Sequence, residues 1–147
     1  MTNSHLRVLV HSSDKELGKF NAVEVKLPAF RGQVGIRADH ADYGGAMSVG
    51  VVELVTHSDS DNQSHVFFVS GGFFMVQNNE VTLLTEVWQD ANHLDLSRAE
   101  KARKRALERL ETSRHHENVD VGRALAALKR AETRLAISQD QRQRLAS

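Results

Sequence analysis

The chain of 147 residues contains no cysteine, which excludes a disulfide framework and a thiolate metal site. No apolar stretch approaches the roughly 18 residues that a membrane-spanning helix needs, so any membrane association is expected to run through a partner. Met1 to Val10 has no basic segment followed by a long apolar run, and no signal peptide is expected. Net charge is also lacking, with 19 basic and 19 acidic residues. That balance hides a division: residues 1–97 carry a net −6 and residues 98–147 a net +6. Such asymmetry suggests two parts that meet different partners or dock on each other; charged residues on helix surfaces would produce it too.

Catalytic signatures are missing as well. There is no G-x-x-x-x-G-K-[ST] run for a phosphate loop. Gly32-Gln33-Val34-Gly35 is too short for a dinucleotide fingerprint and reads as a pair of turn glycines. The eight histidines form no H-E-x-x-H, and the adjacent His115 and His116 would point apart in a turn, whereas zinc needs three or four convergent ligands. His11, Ser12, Ser13 and Asp14 have the letters of a hydrolase but no nucleophile elbow around them. Neither catalysis nor a metal is expected.

What is present is a hydrophobic content of 40%, enough for a core, in two distinct patterns. Up to Trp88 the period is two. Leu6, Val8 and Val10 alternate with Arg7, Leu9 and His11; Val23, Val25 and Leu27 alternate with Ala22, Glu24 and Lys26. Met47–Thr56, His65–Val69, Phe73–Gln77 and Val81–Val87 complete the expected strands. Turn residues separate them at Asp14–Lys15, Arg31–Gly32, Asp59–Asn62, Ser70–Gly72 and Asn78–Asn79. Short strands at regular spacing predict a sandwich or barrel. Asn78–Asn79 fits a two-residue hairpin, since asparagine tolerates positive φ. Gly71–Gly72 is expected where two strands meet at a tight corner.

After Trp88 the pattern changes. Gln89 to His93 is polar and aperiodic, a linker; from Leu94 helix formers dominate. Ser97 and Glu100 fit a capping box, with Asp95 as a competing cap. Ala99, Ala102, Ala106 and Leu110 form one stripe, and this helix should end near Ser113. Arg114 to Val119 reads as a turn. Asp120 should cap a second helix whose stripe is Val121, Leu125, Leu128, Ala131 and Leu135, with Ser138–Ser147 frayed. Two amphipathic helices joined by a short turn are expected to lie antiparallel. The fold class is therefore β + α: an N-terminal antiparallel β-sandwich over 1–88, a linker over 89–94 and an antiparallel two-helix hairpin over 95–147. An alanine–leucine seam buries little area, so the hairpin should depend on other contacts for a fixed position.

Arginines are the candidate ligand-binding residues. Arg98 and Arg105 are seven apart on the first helix, and Arg130 and Arg134 four apart on the second, so each pair shares a helix face. Forked guanidinium groups converging from two helices suit a polyphosphate. Ordinary solvated helix surface is the competing reading, with Glu100 and Lys104 at the favourable i,i+4 spacing.

Several strings, in order, resemble the epsilon subunit of F-type ATP synthases. Leu27-Pro28, then Gly32-Gln33-Val34-Gly35-Ile36, then His40-Ala41 is similar to a loop of that family. Val69-Ser70-Gly71-Gly72-Phe73, with Val76-Gln77 and Val81-Thr82-Leu83-Leu84 after it, is similar to a second segment. Leu94-Asp95-Leu96-Ser97-Arg98-Ala99 matches the [IL]-D-x-x-R-A that opens the family's first C-terminal helix. The resemblance implies a non-catalytic rotor subunit that links the gamma subunit to the c-ring of a proton- or sodium-driven synthase. It would sit peripherally at the cytoplasmic face of the bacterial inner membrane. Arg31, Gly32, Gly35, Ile36 and His40 would make the gamma or c-ring contact.

The resemblance also implies a hairpin that lies folded or extends toward the alpha/beta catalytic head. In some members the extended form blocks ATP hydrolysis, and in some the folded form binds ATP as a regulatory ligand. Leu94, Asp95, Arg98, Ala99, Arg105, Arg130 and Arg134 would form that nucleotide site; no other cofactor is implied. At 1.5 Å per residue, residues 95–145 as one helix would span roughly 75 Å, far enough to reach into a catalytic head. The alternative is a free-standing adaptor whose basic hairpin binds nucleic acid with steep salt dependence. The absence of aromatic residues from 95–147 counts against single-strand recognition.

Overall fold

The computed structural model describes residues 5–59, 61–113 and 120–146, with 141–146 described by backbone alone. The expected turn Arg114–Val119, with His115 and His116, lies outside the described residues. The chain divides into two compact units, Met1–Asp90 and Ala91–Ser147.

Among the described residues, eight strands build the first unit: β1 Leu6–His11, β2 Glu16–Ala22, β3 Glu24–Ala29, β4 Gly32–Arg37, β5 Tyr43–His57, β6 Asn62–Gln77, β7 Glu80–Leu84 and β8 Trp88–Asp90. Their hydrogen-bonded order is β2-β1-β7-β6-β5-β3-β4, with β8 on β6. The pairs are antiparallel except β1 with β7, which run parallel. β1 and β7 are connected through all the strands between them, so no hairpin constrains their direction.

The period-2 pattern buries one face of this sheet. Leu6, Val8 and Val10 are buried while Arg7 is exposed. Val8, Leu27, Ile36, Leu54, Val76 and Leu83 join one core from six strands. A sheet that packs one face against itself in this way is a sandwich. β2 lies against β5 without pairing to it, and aromatic rings close the layers there. Phe20 of β2 has its ring 5.5 Å from Phe67 of β6 and 5.8 Å from Trp88 of β8, and Phe67 stacks on Trp88 at 4.2 Å.

Three features differ from the sequence expectation. β2 and β4 emerge as strands although glycines interrupt their pattern; both are at the ends of the sheet, where only one neighbour constrains them. Gly71 and Gly72 do not separate two strands. β6 runs through them with φ of 94° and 133°, pairing with β8 over Phe67–Val69 and with β7 over Phe73–Gln77. The glycines bend one strand so that it serves two neighbours. The supposed linker is also ordered: β8 runs to Asp90 and a 3-10 turn spans Ala91–His93. The Asn78–Asn79 hairpin forms as expected, with φ of 50° and 59°.

Two helices, α1 Leu96–Ser113 and α2 Val121–Ala146, dominate the second unit. The cap of α1 is Asp95 rather than Ser97. The Asp95 carbonyl accepts the first helical bond from Ala99 N, and its Oδ1 accepts from Arg98 N at 3.1 Å. Asp120 caps α2 in the same way, accepting from Arg123 N at 3.0 Å. α2 continues to Ala146, past the point where fraying was expected.

The α1 stripe is as read, with Ala99 and Ala106 buried. The α2 stripe holds in its second half, where Ala131 is buried and Leu128 and Leu135 are half-buried, but not at its start: Val121 and Leu125 are exposed, Leu125 by 52%, and Ala124 is buried there instead. At the start of α2 the small Ala124 is turned inward and the larger Val121 and Leu125 outward, while Ile137 is buried farther along the helix. Arg103 reaches Glu132 at 3.7 Å across the pair and marks its antiparallel register.

Candidate functional site

The hairpin gathers three of the four arginines. Asp95 caps α1, on which Ala99 is buried and the adjacent Arg98 is exposed. Arg130 and Arg134, one turn apart, are half-buried on α2. Burial pushes the Arg134 guanidinium below its ordinary pKa, and the positive fields of Arg130 and then Arg98 lower it further. Arg98, Arg130 and Arg134 therefore share one neighbourhood across the two helices. Guanidinium forks hold phosphate oxygens in bidentate fashion, so such a group suits a polyphosphate.

The remaining motif residues have other duties. Arg105 is exposed and donates Nε to the Lys101 carbonyl at 3.5 Å, along its own helix. Asp95 caps, Ala99 fills the seam, and Leu94 is half-buried just before the cap.

In the sandwich, Phe30–Arg31 is the two-residue turn between β3 and β4, closed by Ala29 opposite Gly32. It carries Arg31 out into solvent beside Phe30, which is 82% exposed. Arg31 and Gly32 line a concavity of about 260 Å³ with Phe30, Gln33 and Tyr43. Gly35 is exposed on β4 opposite Lys26. His40 follows β4; its Nδ1 is 2.7 Å from the Ala41 carbonyl and its ring 6.2 Å from Tyr43. Ile36 must be removed from the contact surface. It is fully buried opposite Val25, because strand alternation turns it into the core.

A second surface of this unit was not read from the sequence. Phe73 and Met75 project from the outer face of β6, and Leu84 projects from β7 directly opposite Phe73. Phe73 is 63% exposed. Gly44 and Ala46 of β5 pair with Met75 and Phe73, so the face stays open on that side. A groove of about 400 Å³ adjoins it, lined by Phe73 and Leu84 with Ser12, Ser13 and Glu86 at its polar rim. The serines there are turn residues: Ser12 Oγ donates to Asp14 Oδ1 at 2.7 Å, and Ser13 N donates to Glu86 Oε1 at 3.1 Å. The signal available was Phe73-Phe74-Met75-Val76, a run apolar on both faces where a half-buried strand alternates.

Among the described residues no cluster of histidine and carboxylate side chains could hold a metal, and no helix is long and apolar enough to cross a membrane.

Known proteins match this architecture over most of its length. Residues 5–91 match the ATP synthase delta/epsilon chain beta-sandwich domain, and residues 93–139 the long alpha-helix domain of the same chains. An ATP synthase epsilon chain of Nitratidesulfovibrio vulgaris is 37% identical over 113 residues, 77% of this chain and 80% of that one. The epsilon chain of Halalkalibacterium halodurans is 33% identical over 138 residues, 94% of this chain and 98% of that one. In fold, the chain resembles part of the Euglena gracilis mitochondrial ATP synthase OSCP/F1/c-ring structure, with a TM-score of 0.75 at 17% identity, covering 90% of this chain and 81% of that one. These matches support the rotor reading and not the nucleic-acid adaptor. The chain belongs to the delta/epsilon chain family of ATP synthases.

Proposed function

We propose that this non-catalytic rotor subunit of an F-type ATP synthase attaches through its sandwich and regulates through its hairpin. The sandwich joins the gamma subunit to the c-ring, holding the chain peripherally at the cytoplasmic face of a bacterial inner membrane. The observation that carries attachment is the exposed face of Phe73, Met75 and Leu84, on a unit whose core is already complete without them. An exposed apolar face on a folded unit marks a protein contact, and we assign it to gamma. The concavity beside Phe30 and Arg31, at the β3–β4 turn, is assigned to the c-ring. Co-purification of the chain with gamma and c subunits from its own membranes tests this; a chain recovered alone would overturn it.

The hairpin takes ATP as a regulatory ligand in its folded form, and its extended form reaches the alpha/beta head and restrains hydrolysis. Support comes from the half-buried Arg134, which lies within the positive fields of Arg130 on its own helix and Arg98 on the other. A charge-assisted hydrogen bond contributes about 1.5–3 kcal/mol, so Arg134→Ala is expected to weaken MgATP binding by roughly 10- to 100-fold in calorimetry. Arg105→Ala, on a residue turned along its own helix, should change it by less than about threefold. Equal heats for wild type and Arg134→Ala would remove the arginine site.

A further inference from the structure

The seam of the hairpin has a defect at one position. Ala124, Ala131 and Ser138 recur every seven residues on α2, facing an α1 seam of Ala99 and Ala106. The Arg103–Glu132 bridge sets the antiparallel register, in which Ser138 comes near the first turns of α1. Ser138 is 7% exposed, and its hydroxyl is fully buried with no hydrogen-bond partner. It is the only such side-chain atom among the described residues.

Other hydroxyls inside the helices are satisfied locally. Thr112 Oγ1 donates to the Glu108 carbonyl at 2.8 Å, Ser113 Oγ to Leu110 at 2.6 Å and Thr133 Oγ1 to Lys129 at 2.7 Å. Helical geometry therefore offers a hydroxyl an acceptor one turn back, and Ser138 does not use it. Alanine would fill the same heptad place without a buried polar atom.

We propose that Ser138 is a built-in destabiliser of the closed hairpin. While the helices are paired its hydroxyl is cut off from water with nothing in exchange. When α2 leaves its place the hydroxyl is hydrated again, so opening recovers the lost hydrogen bonding. Ser138 thereby sets how much free energy a ligand must supply to hold the hairpin shut. The inference rests on the reading of the hairpin as a moving part.

Amide hydrogen exchange of α2 in the full chain tests it, under conditions where closing outpaces exchange and the rate reports the open population. Ser138→Ala is expected to slow exchange across α2 by about tenfold or more. Alanine is also the better helix former, so that contribution needs its own measurement. Ala136→Ser, at an exposed position two residues earlier, should speed exchange by only about twofold. If Ser138→Ala gives no slowing, or slowing no larger than the Ala136→Ser effect, the destabiliser role is overturned. If instead α2 of the wild type exchanges only together with the β strands, the hairpin does not open by itself, and the moving-part reading fails first.

Discussion

Replacing Gly72 with alanine is expected to destabilise the β unit by more than about 4 kcal/mol, enough to bring a domain at the low end of typical stability close to unfolding. An added Cβ would be 1.8 Å from the Leu84 carbonyl oxygen and 2.9 Å from its carbonyl carbon, both backbone atoms. The end of β7 cannot give way easily. Leu84 is registered against Phe73, and Thr85 N donates to the His11 carbonyl at 2.9 Å. The residue also has a φ of +133°, which adds about 1–3 kcal/mol of strain for a side chain. Together these exceed about 4 kcal/mol, against a typical domain stability of about 5–15 kcal/mol. Gly32→Ala isolates the strain, because Gly32 has a φ of +132° with nothing within 4 Å of its added Cβ. It should lower stability by only about 1–2 kcal/mol. Urea unfolding followed by the fluorescence of the single tryptophan, Trp88, reads both, since Trp88 is stacked on Phe67 in the folded unit. A cooperative, near-wild-type transition for Gly72→Ala would mean that β6 does not bend at these glycines.

The same glycines show how far the sequence could be read. Their dipeptide marked a corner, but not whether two strands end there or one strand bends. Local composition gives backbone freedom, and only the pairing of β6 with β8 and then β7 decides its use. In β2 and β4, alternation was hidden by Gly18 and by Gly32 and Gly35, which leave positions of the pattern without a side chain. The Val121–Leu125 stripe failed for a different reason. Apolar residues at the start of α2 support more than one seam, and spacing alone does not say that Ala124 rather than Leu125 is buried. Helix spacing named Arg98, Arg130 and Arg134, and the charges of the first two act on the third. It also named Arg105, which is exposed and bonded along its own helix; seven residues along a helix is about 10.5 Å, so sharing a face does not by itself bring two side chains to one ligand. Ile36 matched a family string, but a string does not say which side of a strand a residue faces.

The face missed altogether was that of Phe73, because an apolar residue in a strand reads as core until the structure shows which side it occupies. Phe73→Asp is therefore expected to separate folding from assembly. Phe73 is 63% exposed and belongs to the outer face, so the variant loses at most the cross-strand contact with Leu84, about 0.2–1 kcal/mol. Its urea midpoint should stay near that of the wild type. On the proposed reading, the ring is an anchor in the gamma contact, where an aromatic side chain buries 150–250 Å². Truncating such an anchor typically costs about 2 kcal/mol or more, and a carboxylate adds desolvation without a partner. Affinity for purified gamma should fall about 100-fold, equivalent to about 2.7 kcal/mol. Arg31→Glu, on the β3–β4 turn, should leave gamma affinity unchanged and weaken only retention on the c-ring. Should Phe73→Asp bind gamma as tightly as the wild type while Arg31→Glu does not, the seats of the two partners are exchanged: gamma rests on the turn, and the apolar face meets the ring.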